Sequence, residues 1–323
     1  MNLDEAALRH AYETMRLMRI FDETGRREFL AGNLPGFIHM YCGEEAIAAG
    51  ICAHLTDADY IASTHRGHGH CIAKGCTIED MALEIFCRRD GLCRGKGGSM
   101  HIADLEKGML GANAIVGGSA PLAVGAALKI KTRGDSNVAV AFIGDGASNQ
   151  GTVFEAMNLA VVLKLPAIFA YENNGYAEMT GVDYHCGSGD IAARAGAFGM
   201  PAHKVDGTDY FAVHEAMAAA VEHARAGKGP VSIECVAPRW YGHFEGDPQA
   251  YRTKEEIAEL EQTRDPLTLF RERVMAESTL TEADFAAIDA AVSERIEAAM
   301  DAARKAPLPE PADLYTDVYE VYD

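Results

Sequence analysis

The chain has 323 residues, of which 48% are hydrophobic, and this is enough apolar material for a large core in one or two domains. Its formal net charge of −19 argues against nucleic acid or an anionic membrane as a partner. We expect a cytoplasmic protein, because no segment has the apolar length of a membrane span, the first residues lack a signal peptide, and the eight cysteines contain no CxxC pair.

Helical periodicity alternates with short apolar runs along the chain, which predicts an α/β fold with a mostly parallel sheet. Helices are predicted over residues 4–31, 44–55, 77–87, 119–131, 151–164, 211–226 and 281–305, and strands over 138–143, 167–171 and 231–236. The remaining tail, residues 307–323, is predicted to be extended. Its tyrosines favour a position on a partner subunit: Tyr315, Tyr319 and Tyr322.

Two polar turns follow neighbouring predicted strands. Gly144-Asp145-Gly146 ends the first strand, and Glu172-Asn173-Asn174 ends the second. The helix between them predicts a parallel right-handed crossover, so both turns reach the ligand-binding edge of the sheet. Asp145 and Asn174 then offer the oxygen ligands that Mg²⁺ prefers, with a helix start for a phosphate. For the first turn alone, simple capping is equally plausible, but the matching second turn favours a metal-diphosphate site.

A histidine-rich segment offers a different interpretation. His65, His68, His70 and Cys71 are all possible zinc ligands. Four ligands within seven residues leave no loop to wrap a tetrahedron, however. The sequence therefore favours a polar loop rich in His and Arg that lines an anionic cofactor and substrate.

The spacing from GDG to NN, about thirty residues, resembles the thiamine-diphosphate motif. The wider chain resembles the alpha subunit of the thiamine-dependent first component of 2-oxo acid or acetoin dehydrogenase complexes. The resemblance extends over GFIHMYCGEEA (36–46), HRGHG (65–69), RGKGGSMH (94–101), AIVGGSAPLAVGAAL (114–128) and RWYGHFEGDPQAYR (239–252). It implies a single diphosphate-binding domain over residues 1–323 with the thiamine-diphosphate-binding fold, helices on both sheet faces, and a C-terminal helix and tail (281–323) that contact a partner.

The resemblance also implies the ligands of thiamine diphosphate and Mg²⁺. Asp145 and Asn174 would bind the metal by their side chains, and Tyr176 by its backbone carbonyl. The diphosphate would lie against the backbone of the first turn and against Arg66, whose planar guanidinium matches phosphate oxygens. The cofactor-binding residues implied in this way are His39, His65, Arg66, Ile115, Val116, Gly144, Asp145, Gly146, Ala147, Asn174, Tyr176 and His243.

Four of these positions have particular roles or departures. Ile115 and Val116 would hold the aminopyrimidine ring. His243 matches the catalytic histidine of the family, and an imidazole can exchange protons near neutral pH. His65 stands where family members usually carry tyrosine.

The implied function is cleavage of acetoin or decarboxylation of pyruvate, with transfer of the acyl unit to a lipoyl arm on the second component. The partners would be that component and a beta subunit, which supplies a catalytic glutamate in an α₂β₂ heterotetramer. The chain alone would then be inactive. Phe244 replaces the regulatory serine of animal pyruvate dehydrogenases, and its surroundings favour acetoin.

Three alternatives remain open at this point. One is a branched-chain 2-oxo acid dehydrogenase alpha subunit. Another is a non-catalytic dinucleotide-binding protein, although Asn149 stands where the third glycine of that fingerprint belongs. The third is a structural homologue kept for assembly, against which the intact Asp145, Asn174, Arg66 and His243 argue.

Overall fold

A computed structural model of the chain describes residues 3–319. Its helices are α1 (Glu5–Leu30), α2 (Glu45–Cys52), α3 (Gly67–Lys74), α4 (Ile78–Ile85), α5 (Ser119–Arg133), α6 (Gly151–Val162), α7 (Val182–His185), α8 (Ile191–Gly196), α9 (Tyr210–Arg225), α10 (Lys254–Thr263), α11 (Pro266–Glu277) and α12 (Glu282–Lys305). Its strands are β1 (Tyr60–Ala62), β2 (Ala139–Gly144), β3 (Ala167–Asn173), β4 (Tyr176–Ala177), β5 (Thr180–Gly181), β6 (Ala202–Asp206) and β7 (Val231–Val236). Short 3-10 helices cover Ala147–Asn149 and Pro311–Tyr315.

Five strands form a parallel sheet in the order β1-β2-β3-β7-β6. In the central pair, β2 and β3 run in register from Ala139 opposite Ala167 to Gly144 opposite Glu172. Helix α6 connects these two strands, so the predicted strand–helix–strand unit is confirmed as parallel and adjacent. The turns after β2 and β3 therefore lie side by side at one edge of the sheet.

Alternate residues of β2 face two separate hydrophobic cores. Val140 and Phe142 pack into the core that also contains residues of α1, α2, α9 and α12. Ala141 and Ile143 pack into a second core with α5 and α6. Successive side chains of a strand point to opposite faces, so helices cover both faces and the strand is apolar throughout. The predicted fold class is confirmed.

The long C-terminal helix packs on the first helix, on one side of the sheet. Thr281 and Asp284 form a capping box that begins α12. The Tyr12 hydroxyl of α1 donates to Asp289 at 2.9 Å, and its ring meets Phe285 edge-on with centroids 4.7 Å apart. The first helix, α1, and the last helix, α12, are thus held together by apolar packing and by polar contacts.

The prediction of a polar loop after His65 is wrong, because residues 67–74 form the helix α3. Gly67 and Gly69 lower the helix propensity of this segment, so propensity alone does not predict the helix. Gly69 is required there by packing, since a Cβ atom at this position would lie 2.1 Å from the Tyr41 ring. Strands β1 and β6 are likewise absent from the sequence-based prediction.

The C-terminal tail is only partly extended as predicted, because Pro311–Tyr315 forms a 3-10 helix. Asp317 then pairs with Arg94 at 2.9 Å and with Lys96 at 2.8 Å. Tyr322 lies outside the described residues. Within residues 3–319, no helix combines the length and apolarity that crossing a bilayer requires.

Candidate active site

One cavity of about 420 Å³ opens at the carboxyl edge of the parallel sheet. Its walls come from the segments that follow β1, β2, β3 and β7, together with the segment before α2. This is the edge at which α/β sheets bind ligands. Every site residue predicted from the sequence lines this cavity, namely His39, His65, Arg66, Ile115, Val116, Gly144, Asp145, Gly146, Ala147, Asn174, Tyr176 and His243.

The turn after β2 supplies a buried carboxylate. Asp145 is only 2% exposed, and burial raises its pKa, an effect that the neighbouring His185 opposes. His185 Nε2 lies 3.0 Å from Asp145 Oδ2, and its Nδ1 lies 3.1 Å from Asn149 Nδ2. A chain of side chains thus fixes the orientation of the carboxylate that the sequence predicts to bind a metal.

The turn after β3 supplies an amide whose orientation is set by its neighbours. Asn174 Nδ2 donates to Glu44 at 3.2 Å, and Asn174 Oδ1 accepts from the Tyr176 N–H at 3.3 Å. Burial and the nearby Glu172 carboxylate raise the pKa of Glu44 to about 8. The Tyr176 carbonyl, the third predicted metal ligand, accepts from Arg239 at 3.4 Å.

Two buried arginines also line the cavity. Arg66 donates to the Met40 carbonyl at 2.8 Å and to the His243 carbonyl at 2.7 Å. Arg239 donates to the Glu178 carbonyl at 3.0 Å and to the Tyr251 hydroxyl at 2.6 Å. Neither arginine forms a salt bridge with a carboxylate in the described part of the chain. Burial and the charge of Arg239 lower the pKa of Arg66 to about 10.

This charge arrangement fits a diphosphate. Buried cations without carboxylate partners are costly unless a ligand supplies the negative charge. Guanidinium groups match phosphate oxygens, and the buried Asp145 with Asn174 offers the hard oxygen donors that Mg²⁺ requires. The residues present therefore suit a magnesium diphosphate group.

Three imidazoles converge beside Arg66. The ring centroids are 4.6 Å apart for His39 and His65, and 5.1 Å from His243 to each of the other two. Burial, reinforced by Arg66, lowers the pKa of His39 to about 3, of His65 to about 2 and of His243 to about 4. All three rings are consequently neutral near pH 7.

The loop after β7 holds His243 by its backbone. The His243 N–H donates to Asp247 Oδ2 at 2.7 Å, and the Tyr251 hydroxyl donates to the same oxygen at 2.7 Å. Arg252 donates to three carbonyls of the same loop: those of Arg239, Trp240 and Tyr241. The Phe244 ring meets Phe37 edge-on with centroids 5.4 Å apart, and its centroid lies 6.3 Å from that of His39.

The apolar wall of the cavity is open. Ile115 is 73% exposed and Val116 is 48% exposed. Exposed apolar side chains at the mouth of a ligand site are typical of a surface that a partner covers.

Some residues of the cavity escape identification from the sequence. Glu44, Glu172, Arg239 and His185 all lie in or beside it. Glu44 is detectable as one of two adjacent acids before an alanine-rich helix. The sequence does not identify His185 as a site residue, because it lies 40 positions from Asp145, the residue that it contacts.

The sequence-adjacent histidines do not form a zinc site. His68 Nδ1 lies 2.7 Å from Asp22, whereas His70 lies 2.6 Å from the Ser63 hydroxyl and 2.8 Å from Glu172. The helix α3 thus separates these rings into different hydrogen-bond pairs, in agreement with the sequence argument against zinc.

Comparison with known proteins agrees with this geometry. Residues 12–312 match the model of the dehydrogenase E1 component family. The chain is 51% identical over 320 residues to the alpha subunit of an acetoin:2,6-dichlorophenolindophenol oxidoreductase from Cupriavidus necator, with 99% of this chain and 96% of that protein covered. The protein of the same name from Bacillus subtilis is 50% identical, with 100% and 96% covered. The pyruvate dehydrogenase E1 component subunit alpha of Rhizobium meliloti is 39% identical, with 95% and 88% covered. The chain therefore belongs to the dehydrogenase E1 component family.

Proposed function

We propose that this chain is the diphosphate-binding half of an acetoin or pyruvate dehydrogenase E1 component, with Mg²⁺ held between Asp145 and Asn174. Family membership implies thiamine diphosphate as the cofactor, and a beta subunit and a lipoyl-bearing component as partners. One observation carries the proposal for this site. Two buried arginines without carboxylate partners among the described residues line the same cavity as a buried aspartate and an asparagine.

Different residues of the chain would bind the metal, the phosphates and the aminopyrimidine ring. Asp145 and Asn174 would ligate Mg²⁺ by side-chain oxygens, and Tyr176 would ligate it by its carbonyl. Arg66, His39 and His65 would hold the phosphates together with the backbone of Gly144, Gly146 and Ala147. Ile115 and Val116 would hold the aminopyrimidine ring.

Bound thiamine diphosphate supplies a nucleophilic carbon and an electron sink for breaking a carbon–carbon bond. The chain contributes a neutral imidazole, His243, which would exchange a proton with the substrate oxygen. Arg66 donates to His243 Nδ1 at 3.3 Å, so the proton would move at Nε2. The Asp247 contact to the His243 backbone keeps this ring in place.

The substrate we propose first is acetoin. The two relatives that share about half of their residues with this chain are acetoin oxidoreductase subunits by name. The neutral imidazoles around His243 suit a neutral hydroxyketone, because each ring offers both a donor and an acceptor. A branched-chain substrate is disfavoured, because the relatives described above are acetoin and pyruvate enzymes by name.

The assembly we propose is an α₂β₂ heterotetramer in the cytoplasm. The open wall at Ile115 and Val116 supports a partner that completes the site. We further propose that the chain acts as one domain whose C-terminal helix and tail, residues 281–323, contact a partner. The exposed Leu314 and Tyr315 support this proposal.

Calorimetric titration tests the site directly. Thiamine diphosphate with Mg²⁺ is added to the chain co-purified with its beta subunit, and NAD is titrated in parallel. Asp145→Asn should weaken magnesium-dependent binding by at least about tenfold, since loss of even an outer-shell group costs that much at metal sites. Asp135→Asn, at an exposed position after α5, is the matched control. Binding of NAD, or unchanged binding by Asp145→Asn, would contradict the proposal.

A further inference from the structure

We propose that Arg194, Asn149 and His185 form a hydrogen-bond relay that restricts Asp145 to one metal-facing oxygen and thereby makes the site selective for Mg²⁺ over Ca²⁺. The three residues act through Asp145 and do not touch the metal, so their role is positioning. The inference rests on the proposed function, because it requires a divalent cation at Asp145. It adds to that function the residues that determine which cation the site accepts.

The relay begins at a permanent hydrogen-bond donor. Arg194, in α8, donates from one guanidinium nitrogen to the Asn149 side-chain oxygen at 2.6 Å. A guanidinium has no acceptor atom, so the Asn149 atom that it contacts must be the oxygen. The amide orientation of Asn149 is therefore fixed, and its nitrogen lies 3.1 Å from His185 Nδ1.

This contact determines which nitrogen of the His185 ring carries the hydrogen. An amide nitrogen only donates, so Nδ1 of His185 accepts and carries no hydrogen. The hydrogen of the neutral ring then lies on Nε2, which is 3.0 Å from Asp145 Oδ2. A ring nitrogen that carries a hydrogen has no lone pair for a cation, so His185 is a donor to Asp145 and not a metal ligand.

A second contact of Arg194 holds the backbone of the same aspartate. Its other terminal nitrogen donates to the Ser148 hydroxyl, and this hydroxyl donates to the Asp145 carbonyl at 2.6 Å. Asp145 and Ser148 are both buried. The side chain and the main chain of Asp145 are thus connected to one guanidinium, whose central carbon lies 5.9 Å from the centroid of the Phe154 ring.

The relay leaves Asp145 with one oxygen for a cation. Its Oδ2 accepts the hydrogen of His185, so turning the carboxylate to present both oxygens would break this contact. Asp145 then acts as a single-oxygen ligand beside Asn174 and the Tyr176 carbonyl. This suits Mg²⁺, which requires octahedral geometry and usually keeps phosphate and water among its ligands. Ca²⁺ takes more ligands, about six to eight, and accepts bidentate carboxylates, which the relay opposes.

Three substitutions test the relay. His185→Ala removes the donor to Asp145 and frees the second carboxylate oxygen. His185→Gln keeps the donor, because a glutamine amide donates at one atom and accepts at another, as His185 does here. Asn149→Ala leaves the imidazole in place but no longer fixes its tautomer, and Asn149 is exposed, so the chain should still fold. His203→Ala, at an exposed histidine of β6, is the matched control.

The experiment uses the full chain co-purified with its beta subunit and freed of coenzyme and metal ions. Thiamine diphosphate is kept constant, and Mg²⁺ or Ca²⁺ is titrated by calorimetry to give the two affinities. In His185→Ala we expect Mg²⁺ binding to weaken at least about tenfold, as on loss of an outer-shell group, and Ca²⁺ binding to change much less. Asn149→Ala should lower the ratio of Mg²⁺ to Ca²⁺ affinity by a smaller factor. His185→Gln and His203→Ala should keep the ratio of the wild type.

Equal weakening of Mg²⁺ and Ca²⁺ binding in His185→Ala would overturn the proposal, since it would show a merely structural role. An unchanged affinity ratio in Asn149→Ala, or no rescue in His185→Gln, would also overturn it. If His185→Ala does not fold, as judged by its melting curve, Asn149→Ala makes the same test. Metal-dependent binding of thiamine diphosphate by the wild type, with selectivity kept in the variants, rejects this inference alone. Its absence in the wild type rejects the proposed function as well.

Discussion

At the scale of single residues, a buried carboxylic acid governs how the proposed metal ligand is presented. Glu44 accepts from the Asn174 amide nitrogen, which turns the amide oxygen toward the Tyr176 N–H. Next to it, Glu172 accepts from the Tyr41 hydroxyl and from His70. Burial and the neighbouring Glu172 raise the pKa of Glu44 to about 8, so Glu44 retains its proton at neutral pH.

This arrangement predicts a pH-dependent stability. Because the pKa of Glu44 is raised to about 8 in the folded protein, from its ordinary value of 4.5, the unfolded chain loses this proton first. Its contribution to the free energy of unfolding is full below about pH 4.5 and is lost as the pH rises through 8. Glu44→Gln should therefore lose less stability than wild type as the pH rises from about 6 to about 9.

The measurement is calorimetric melting of the coenzyme-free protein across that range. Asp135→Asn again serves as the control, because the loss of this exposed acid should leave the pH dependence of the melting temperature unchanged. Parallel melting temperatures for Glu44→Gln and wild type at every pH would contradict the assignment.

At the scale of elements, the loop after β7 is cross-linked by its own side chains, which bind its carbonyls and N–H groups. Asp247 accepts from the His243 and Gln249 N–H groups at 2.7 and 2.8 Å. Gly242 permits this contact, since a Cβ atom there would lie 2.6 Å from Asp247 Cβ. The position of the proposed catalytic ring thus depends on the absence of one side chain.

Gly242→Ala should displace Asp247 and break its charged hydrogen bond to His243, at a cost of about 1.5–3 kcal/mol. We expect a lower melting temperature and a lower kcat, measured with the assembled enzyme. Gly125→Ala in α5 is the control, because a Cβ atom there meets nothing within 4 Å. That control should stabilise the helix by roughly 0.5–1 kcal/mol. Equal effects of the two substitutions would contradict the role of Gly242.

Sequence reasoning locates the elements with strong local patterns and misses the others. Strand β2 is an apolar run and α12 begins at a capping Thr281, so the sequence predicts both. Strand β6 is Ala202–Asp206, whose His and Lys side chains give no apolar run, and β1 is only three residues long. Their positions are set by pairing with neighbours, which local periodicity does not record.

The residues of the candidate site likewise fall into those that the sequence identifies and those that it misses. Residues inside recognisable motifs, such as Asp145 and Arg66, are identified from the sequence and lie in the cavity. Glu44 and His185 are missed, because their contacts to Asn174 and Asp145 span 130 and 40 positions. Only the folded chain brings such pairs together.

At the scale of the whole molecule, the proposed beta subunit would complete the cavity. Asp145 and Arg66 are buried in its wall, whereas Ile115 and Val116 are exposed. The chain purified alone should therefore show no turnover of acetoin or pyruvate, and the addition of its beta subunit should restore activity. The measurement is the rate of reduction of an artificial electron acceptor with and without the partner. Robust turnover by the isolated chain would refute the half-site interpretation.

The packing of α1 on α12 also bears on how the protein is made. Tyr12 finds its partner Asp289 277 positions later. While the ribosome is still extending the nascent polypeptide, α2 and α3 can already cover part of α1, but α12 does not yet exist. Long-range contacts of this kind delay folding and leave apolar surface open to aggregation. We therefore expect the docking of α12 on α1 to be a late folding event, after α1 has packed on α2 and α3.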